Sequence, residues 1–161
     1  MYGAIIGDVA GSLYEVLEIE AKKNKTIRSK IERTIILDKS TPLFTDMSYL
    51  TDDSILTCSI ADAILNNVKY EDKLKEYGKN EIDQGLDLYG RNKFGIGFIK
   101  WLYDLKDGDS YGNGCAMRIS PIGYLFDDIE TIKHESMLAT IPSHNNKESI
   151  LCSEAVAMSI Y

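Results

Sequence analysis

Apolar residues recur at helical spacing along most of the chain. In residues 2–17, Ile6, Val9, Ala10, Leu13, Val16 and Leu17 follow one broad face, which predicts a first helix. "DDSILTCSIADAILN" repeats the pattern through Leu56, Ile60, Ala63 and Ile64 and predicts a second helix, Asp52–Asn66. Further helices are predicted over residues 70–78 and 80–89. A short amphipathic one follows in "GIGFIKWLYDLK", with Phe98, Trp101, Leu102 and Leu105 on its apolar side. "DGDSYGNG" reads as a loop from its glycines and aspartates, and "CAMRISPIGYLF" as an apolar run broken at Pro121. Two more helices fit residues 129–139 and 147–161.

Residues 20–40, "EAKKNKTIRSKIERTIILDKS", hold seven of the 18 basic residues. They read as a solvated connection with a short ordered piece at 31–37, either helix or strand. With no internal repeat and no low-complexity segment, the expected fold is all-α: one domain, residues 1–161, of helices joined by loops. "ESILCSEAVAMSIY" keeps its periodicity to the last residue with no Gly, Asn or basic residue to close it, so the final helix reads as cut.

Composition narrows the class. A chain of 161 residues, 44% hydrophobic and 27% charged, has the balance of a soluble globular domain. A formal charge of −7 argues against a nucleic-acid partner. Cys58, Cys115 and Cys152 are widely spaced and only two histidines are present, so neither a zinc site nor a disulfide framework is expected. "MYGAIIGDVAGS" lacks the basic start of a signal peptide, and no apolar run reaches membrane-span length. The expected compartment is the cytoplasm, with no membrane association.

Several segments carry candidate chemistry. Gly3, Gly7 and Gly11 form a bare stripe on the first helix. Each costs about 0.5–1 kcal/mol relative to alanine, which close approach of a second backbone or of a ligand would explain. Asp8, Ser12 and Glu15 share a neighbouring face, either solvated or gathered at a site. Thr51, Asp52 and Asp53 open the second helix. Threonine is a good N-cap and aspartates complement the helix dipole, yet the same oxygens suit a hard cation. Gly112, Asn113 and Gly114 form either a plain tight turn or an anion cradle of backbone N–H groups. No lysine follows in P-loop register, which excludes a P-loop NTPase. Arg118 has the chemistry to pair with a phosphate or a buried carboxylate. His144, after Pro142-Ser143, is either a structural hydrogen-bonding residue or a substrate contact.

In this order the pieces resemble the ADP-ribosylglycohydrolase family, which includes the dinitrogenase-reductase-activating glycohydrolases. "GAIIGDVAGSLYE" is similar to the family's first helix, Thr51-Asp52-Asp53 to its Thr-Asp-Asp, and "YGRNKFGIGFIKW" to its glycine and aromatic segment. "SYGNGCAMRISPIG" resembles its Gly-Asn-Gly loop and "PSHNNKES" its Ser/Thr-His motif. The resemblance implies packed helices around a two-ion site for Mg2+ or Mn2+, and hydrolysis of the bond joining ADP-ribose to a protein side chain. By matching position, Glu15, Thr51, Asp52 and Asp53 would be metal ligands, and Glu15, Asp52 and Asp53 the catalytic carboxylates. Gly112, Asn113, Gly114 and His144 would contact the substrate, an ADP-ribosylated protein or a small molecule containing ADP-ribose.

The chain also departs from the family pattern. His-Asn-His-Pro-Glu is replaced by His144-Asn145-Asn146-Lys147-Glu148. The family's Asp-x-Asp-Ser/Thr ligand group has no counterpart after His144. "DGDS" at 107–110 has that spelling but precedes the Gly-Asn-Gly loop, so it is read as a loop. The C-terminal part of the domain is expected to be missing. Activity would then need a completing partner chain, and self-association is expected. The alternatives are a non-catalytic ADP-ribose-binding module or an inactive remnant.

Overall fold

The helical spacing is realised in space. A computed structural model describes residues 2–23, 42–46, 48–87 and 90–161. Its helices are α1 (Tyr2–Lys23), α2 (Asp52–Asn66), α3 (Tyr70–Asp83), α4 (Ile96–Leu102), α5 (Gly114–Met117), α6 (Ser120–Leu125), α7 (Ile129–Thr140) and α8 (Lys147–Ile160). Among the described residues there is no strand, only an isolated bridge between Asp109 and His144. The fold is all-α, as the spacing predicts. The ordered piece expected at 31–37 lies outside the described residues. The chain divides into two units, Tyr2–Thr51 with α1 and Asp52–Tyr161 with the other helices.

In the larger unit, Leu56 and Ile60 of α2 meet Leu74 of α3, Leu102 of α4, Ile122 of α6 and Ile132 of α7 in one buried core. Fully burying a side chain of this size is worth roughly 1.5–3 kcal/mol, so these contacts supply much of the driving force. α2 packs on α3, and α8 packs on both α6 and α7. The inner face of α8 is a stripe of small residues, Ser149, Ser153 and Ala157. A Cβ added to Gly123 of α6 would lie 2.3 Å from the Ala157 carbonyl oxygen. Glycine is therefore what lets α6 reach the α8 backbone.

Four boundaries differ from expectation: α1 runs to Lys23, past the expected end at 17 and into the stretch read as a connection, and three others differ for local reasons. Residues 70–83 form one helix, because Gly78 is a packing glycine and not a stop. A Cβ there would sit 2.7 Å from Leu102 Cδ2, so its absence makes room for α4. The separate helix expected over 80–89 is absent among the described residues. α3 ends at Asp83, Gly85 takes φ +97°, and residues 88–89 lie outside the described set. Leu105 is 75% exposed, since α4 stops at Leu102 and Asp104 turns to φ 57°. Pro121 falls in the first turn of α6, where its missing N–H is harmless. Two caps set the last helices. Asp128 accepts from the Thr131 N–H at 2.9 Å to start α7, and Asn146 accepts from the Ser149 N–H at 2.9 Å to start α8.

Candidate functional site

A cavity of about 230 Å³ opens in the larger unit. Asp52 and Leu56 of α2 form one wall, and Phe98 and Trp101 of α4 form another. Asp107, Ser110, Gly112 and Asn113 of the following loop, Gly114 at the start of α5, and Arg118, Ser143 and His144 also line it. Asp52 lies in the first turn of α2, where the helix dipole favours a carboxylate. The aromatic wall is a short stack, with Phe98 and Trp101 ring centres 5.3 Å apart.

The loop is laced to the segment before α8. Ser110 N–H donates to the Ser143 carbonyl at 3.2 Å, and Asn145 N–H to the Gly108 carbonyl at 2.6 Å. Asn146 adds a side-chain bond to the Ser110 carbonyl at 2.7 Å. The approach is so close that a Cβ at Gly108 would stand 1.9 Å from the Pro142 carbonyl oxygen. This lacing brings Gly112–Gly114 and His144 to one cavity although 30 residues separate Gly114 from His144. The Gly112 N–H donates to Ser110 Oγ at 3.1 Å, so it braces the loop and does not point outward as expected of an anion cradle. Neither Gly112 nor Gly114 uses a positive φ. Gly114 is needed for space, because a Cβ there would lie 3.2–3.3 Å from His144 Cε1 and Nε2.

His144 is 4% exposed. Its Nδ1 is 2.8 Å from Ser143 Oγ. Arg118 Nη2 donates to the same Oγ at 2.8 Å and to the Ala139 carbonyl at 3.0 Å. Arg118 is fully buried, and its Nε and Nη1 have no partner among the described residues. Burial lowers its pKa to about 10, which leaves it charged at neutral pH. Burial, helped by the Arg118 charge, lowers the His144 pKa to about 4, so the imidazole is neutral.

The sequence-predicted residues divide accordingly. Asp52, Gly112, Asn113, Gly114 and His144 line the cavity. Asp53 is half-buried and does not line it. Glu15 and Thr51 belong to the smaller unit, where Glu15 is exposed and Thr51 buried. There the Thr51 hydroxyl donates to Asp8 Oδ1 at 2.5 Å and its N–H to Asp8 Oδ2 at 3.0 Å. Tyr49 N–H donates to Ser12 Oγ at 3.1 Å. The Asp8–Ser12 face of α1 thus clamps residues 49–51 and is not simply solvated. Within that unit a Cβ at Gly3, Gly7 or Gly11 would meet no atom within 4 Å.

Metal chemistry is met only in part. Among the described residues, no group of three or more His, Cys, Asp or Glu side chains is placed to hold an ion. The cavity offers the carboxylates of Asp52 and Asp107. These are hard oxygen donors of the type Mg2+ and Mn2+ take, but too few for a complete site. Asp107, Ser110 and Ser143 were not foreseen as site residues. "DGDS" is a loop as expected, and its first and last residues line the cavity. Their signal was position beside the Gly-Asn-Gly turn, since loop residues next to a ligand turn share its surface. Cys58, Cys115 and Cys152 are free thiols.

The helical fold thus gathers Asp52, a Gly-Asn-Gly turn and a buried histidine around one cavity. The chain belongs to the ADP-ribosylglycohydrolase family, whose profile matches residues 1–161. It is similar to the uncharacterized protein YegU of Escherichia coli K12, at 26% identity over 176 aligned residues. That alignment covers 99% of this chain and 51% of YegU, so the chain spans about half the length of the relative it matches. The family is one of glycohydrolases that act on ADP-ribosylated substrates, and it is generally metal-dependent. No described helix is long and apolar enough to cross a membrane.

Proposed function

We propose that this chain forms the ADP-ribose-binding part of a metal-dependent hydrolase that cleaves the glycosidic bond between ADP-ribose and a protein side chain. The supporting observation is the convergence of Asp52, Gly112–Gly114 and His144 on one cavity. In this reading the Gly112–Gly114 turn lies along the diphosphate and ribose, and His144 contacts the substrate. Glu15, Thr51, Asp52 and Asp53 serve as donors to Mg2+ or Mn2+, two ions in a full site, with Glu15, Asp52 and Asp53 as the catalytic carboxylates. A bound ion would orient water and stabilise charge in the transition state. A full two-ion site needs further oxygen donors beside these four. The protein acts in the cytoplasm on ADP-ribosylated proteins or related small molecules.

A second reading, a non-catalytic ADP-ribose-binding module, is favoured by the cavity's small donor set of Asp52 and Asp107. Calorimetric titration with ADP-ribose, with and without Mg2+, should be paired with hydrolysis of ADP-ribosyl-arginine and ADP-ribosyl-serine peptides. Turnover makes the chain a hydrolase by itself. Binding without turnover supports the module. Neither binding nor turnover rejects ADP-ribose recognition by this chain, and its family membership would then describe ancestry.

A further inference from the structure

Arg118 is an expensive residue to bury. A fully buried guanidinium normally faces a carboxylate, yet here one terminal nitrogen bonds to a neutral carbonyl and a serine, and two other nitrogens have no partner among the described residues. Its position against Ser143, and through it His144, is where the charge has an effect.

The protons can be assigned from hydrogen-bond arithmetic. Arg118 Nη2 is only a donor, so Ser143 Oγ must accept from it. The serine hydroxyl then has its own proton to place. Ser143 is 3% exposed, and its other Oγ neighbour within hydrogen-bond distance is His144 Nδ1 at 2.8 Å. If Nδ1 carried the proton, Ser143 would accept twice and its own O–H would be buried without an acceptor, which is the costly arrangement. With the proton on Nε2, Ser143 Oγ accepts from Arg118 Nη2 and donates its own proton to His144 Nδ1, so the serine hydroxyl is fully satisfied. The bond from a charged donor also polarises the serine hydroxyl and strengthens its bond to Nδ1.

We propose that Arg118 and Ser143 are positioning residues that lock His144 as the neutral Nε2–H tautomer. His144 is then a fixed hydrogen-bond donor in the cavity and not a general base. The Nε2 edge faces Gly114, where the missing Cβ leaves room for it beside the Gly112–Gly114 turn. An Nε2–H held there suits an acceptor oxygen of the ligand, such as a phosphate oxygen or a ribose hydroxyl. The tautomer follows from the geometry alone, while the ligand it serves rests on the proposed ADP-ribose function.

The test is 15N NMR of the two imidazoles in the intact chain at neutral pH, with exposed His134 removed by His134→Gln to assign His144. The expected spectrum shows His144 neutral and protonated on Nε2. Ser143→Ala should raise the Nδ1-protonated form to a comparable fraction and weaken ADP-ribose binding about tenfold, the loss of one well-placed hydrogen bond. Ser143→Thr keeps the hydroxyl and should restore both properties. Protonation on Nδ1 in the unmutated site, or an Nε2–H tautomer unchanged by Ser143→Ala, overturns the proposal. If Ser143→Ala does not melt cooperatively, the His134→Gln spectrum and Ser143→Thr still decide the tautomer. If the unmutated chain binds no ADP-ribose, the functional reading fails, while the tautomer is still decided by the spectrum.

Discussion

At the scale of the residue, His144 ties stability to pH. Its folded pKa of about 4 lies below the ordinary value of 6.5. Between those values the unfolded chain binds a proton that the folded chain excludes, so stability is full above about pH 6.5 and falls as the pH drops toward 4. Carboxylates titrate in the same window, so the comparison that isolates His144 is with His144→Gln. Melts of both proteins from pH 7 to pH 4 should show the unmutated midpoint falling further. Parallel curves would mean that His144 is protonated in the folded state. Asn146 is a second residue with two roles, capping α8 and holding the Ser110 carbonyl. Asn146→Ala should cost about 1 kcal/mol or more, read as a lower thermal midpoint, and Asn146→Asp should keep the cap but lose the loop bond. The sequence raises His144 as a candidate through its motif. It does not point to Ser143 or disclose that Arg118 is buried, because both depend on contacts with α7 and the loop.

At the scale of the element, glycines decide how closely the backbones pack. Gly123→Ala forces a methyl group onto the Ala157 carbonyl and should destabilise the protein by about 1–3 kcal/mol. For a chain of this size each kcal/mol moves the midpoint by roughly 2–4 °C, which a thermal melt resolves. An unchanged midpoint would mean that α6 and α8 can separate without loss. Gly108→Ala meets the Pro142 carbonyl and should loosen the lacing between the loop and the segment before α8. Its signature should be weaker ADP-ribose binding together with faster amide exchange in residues 107–114. Helix existence was legible for most of the chain, because apolar spacing encodes it directly. Helix ends were less so. Gly78 has the local signal of a stop, but the contact with Leu102 makes it a packing glycine inside α3.

At the scale of the whole molecule, Leu151, Ala155 and Met158 lie at successive turns on the outer side of α8, and all three are exposed. Sedimentation of the purified chain should show a concentration-dependent dimer or larger species if this apolar face finds a cover, and Leu151→Glu should reduce it. A monomer at all concentrations would reject self-association. Adding Mg2+ and ADP-ribose addresses the site as a unit. A ligand that binds only the folded chain at about 100 times its Kd adds roughly 2.7 kcal/mol, so the melt should rise by several degrees.

By itself the sequence determined the all-α class, the presence of the longer helices of the larger unit and a family resemblance that the profile match bears out. These follow from local spacing and short motifs, which are written in neighbouring residues. Only the tertiary structure decided that Asp52, the Gly112–Gly114 turn and His144 share a cavity, and that Asp107, Ser110, Arg118 and Ser143 join them. Those relations depend on which backbones approach closely enough to bond, as at Gly108 against Pro142. Such closeness between residues far apart in the chain leaves no periodic trace in the sequence.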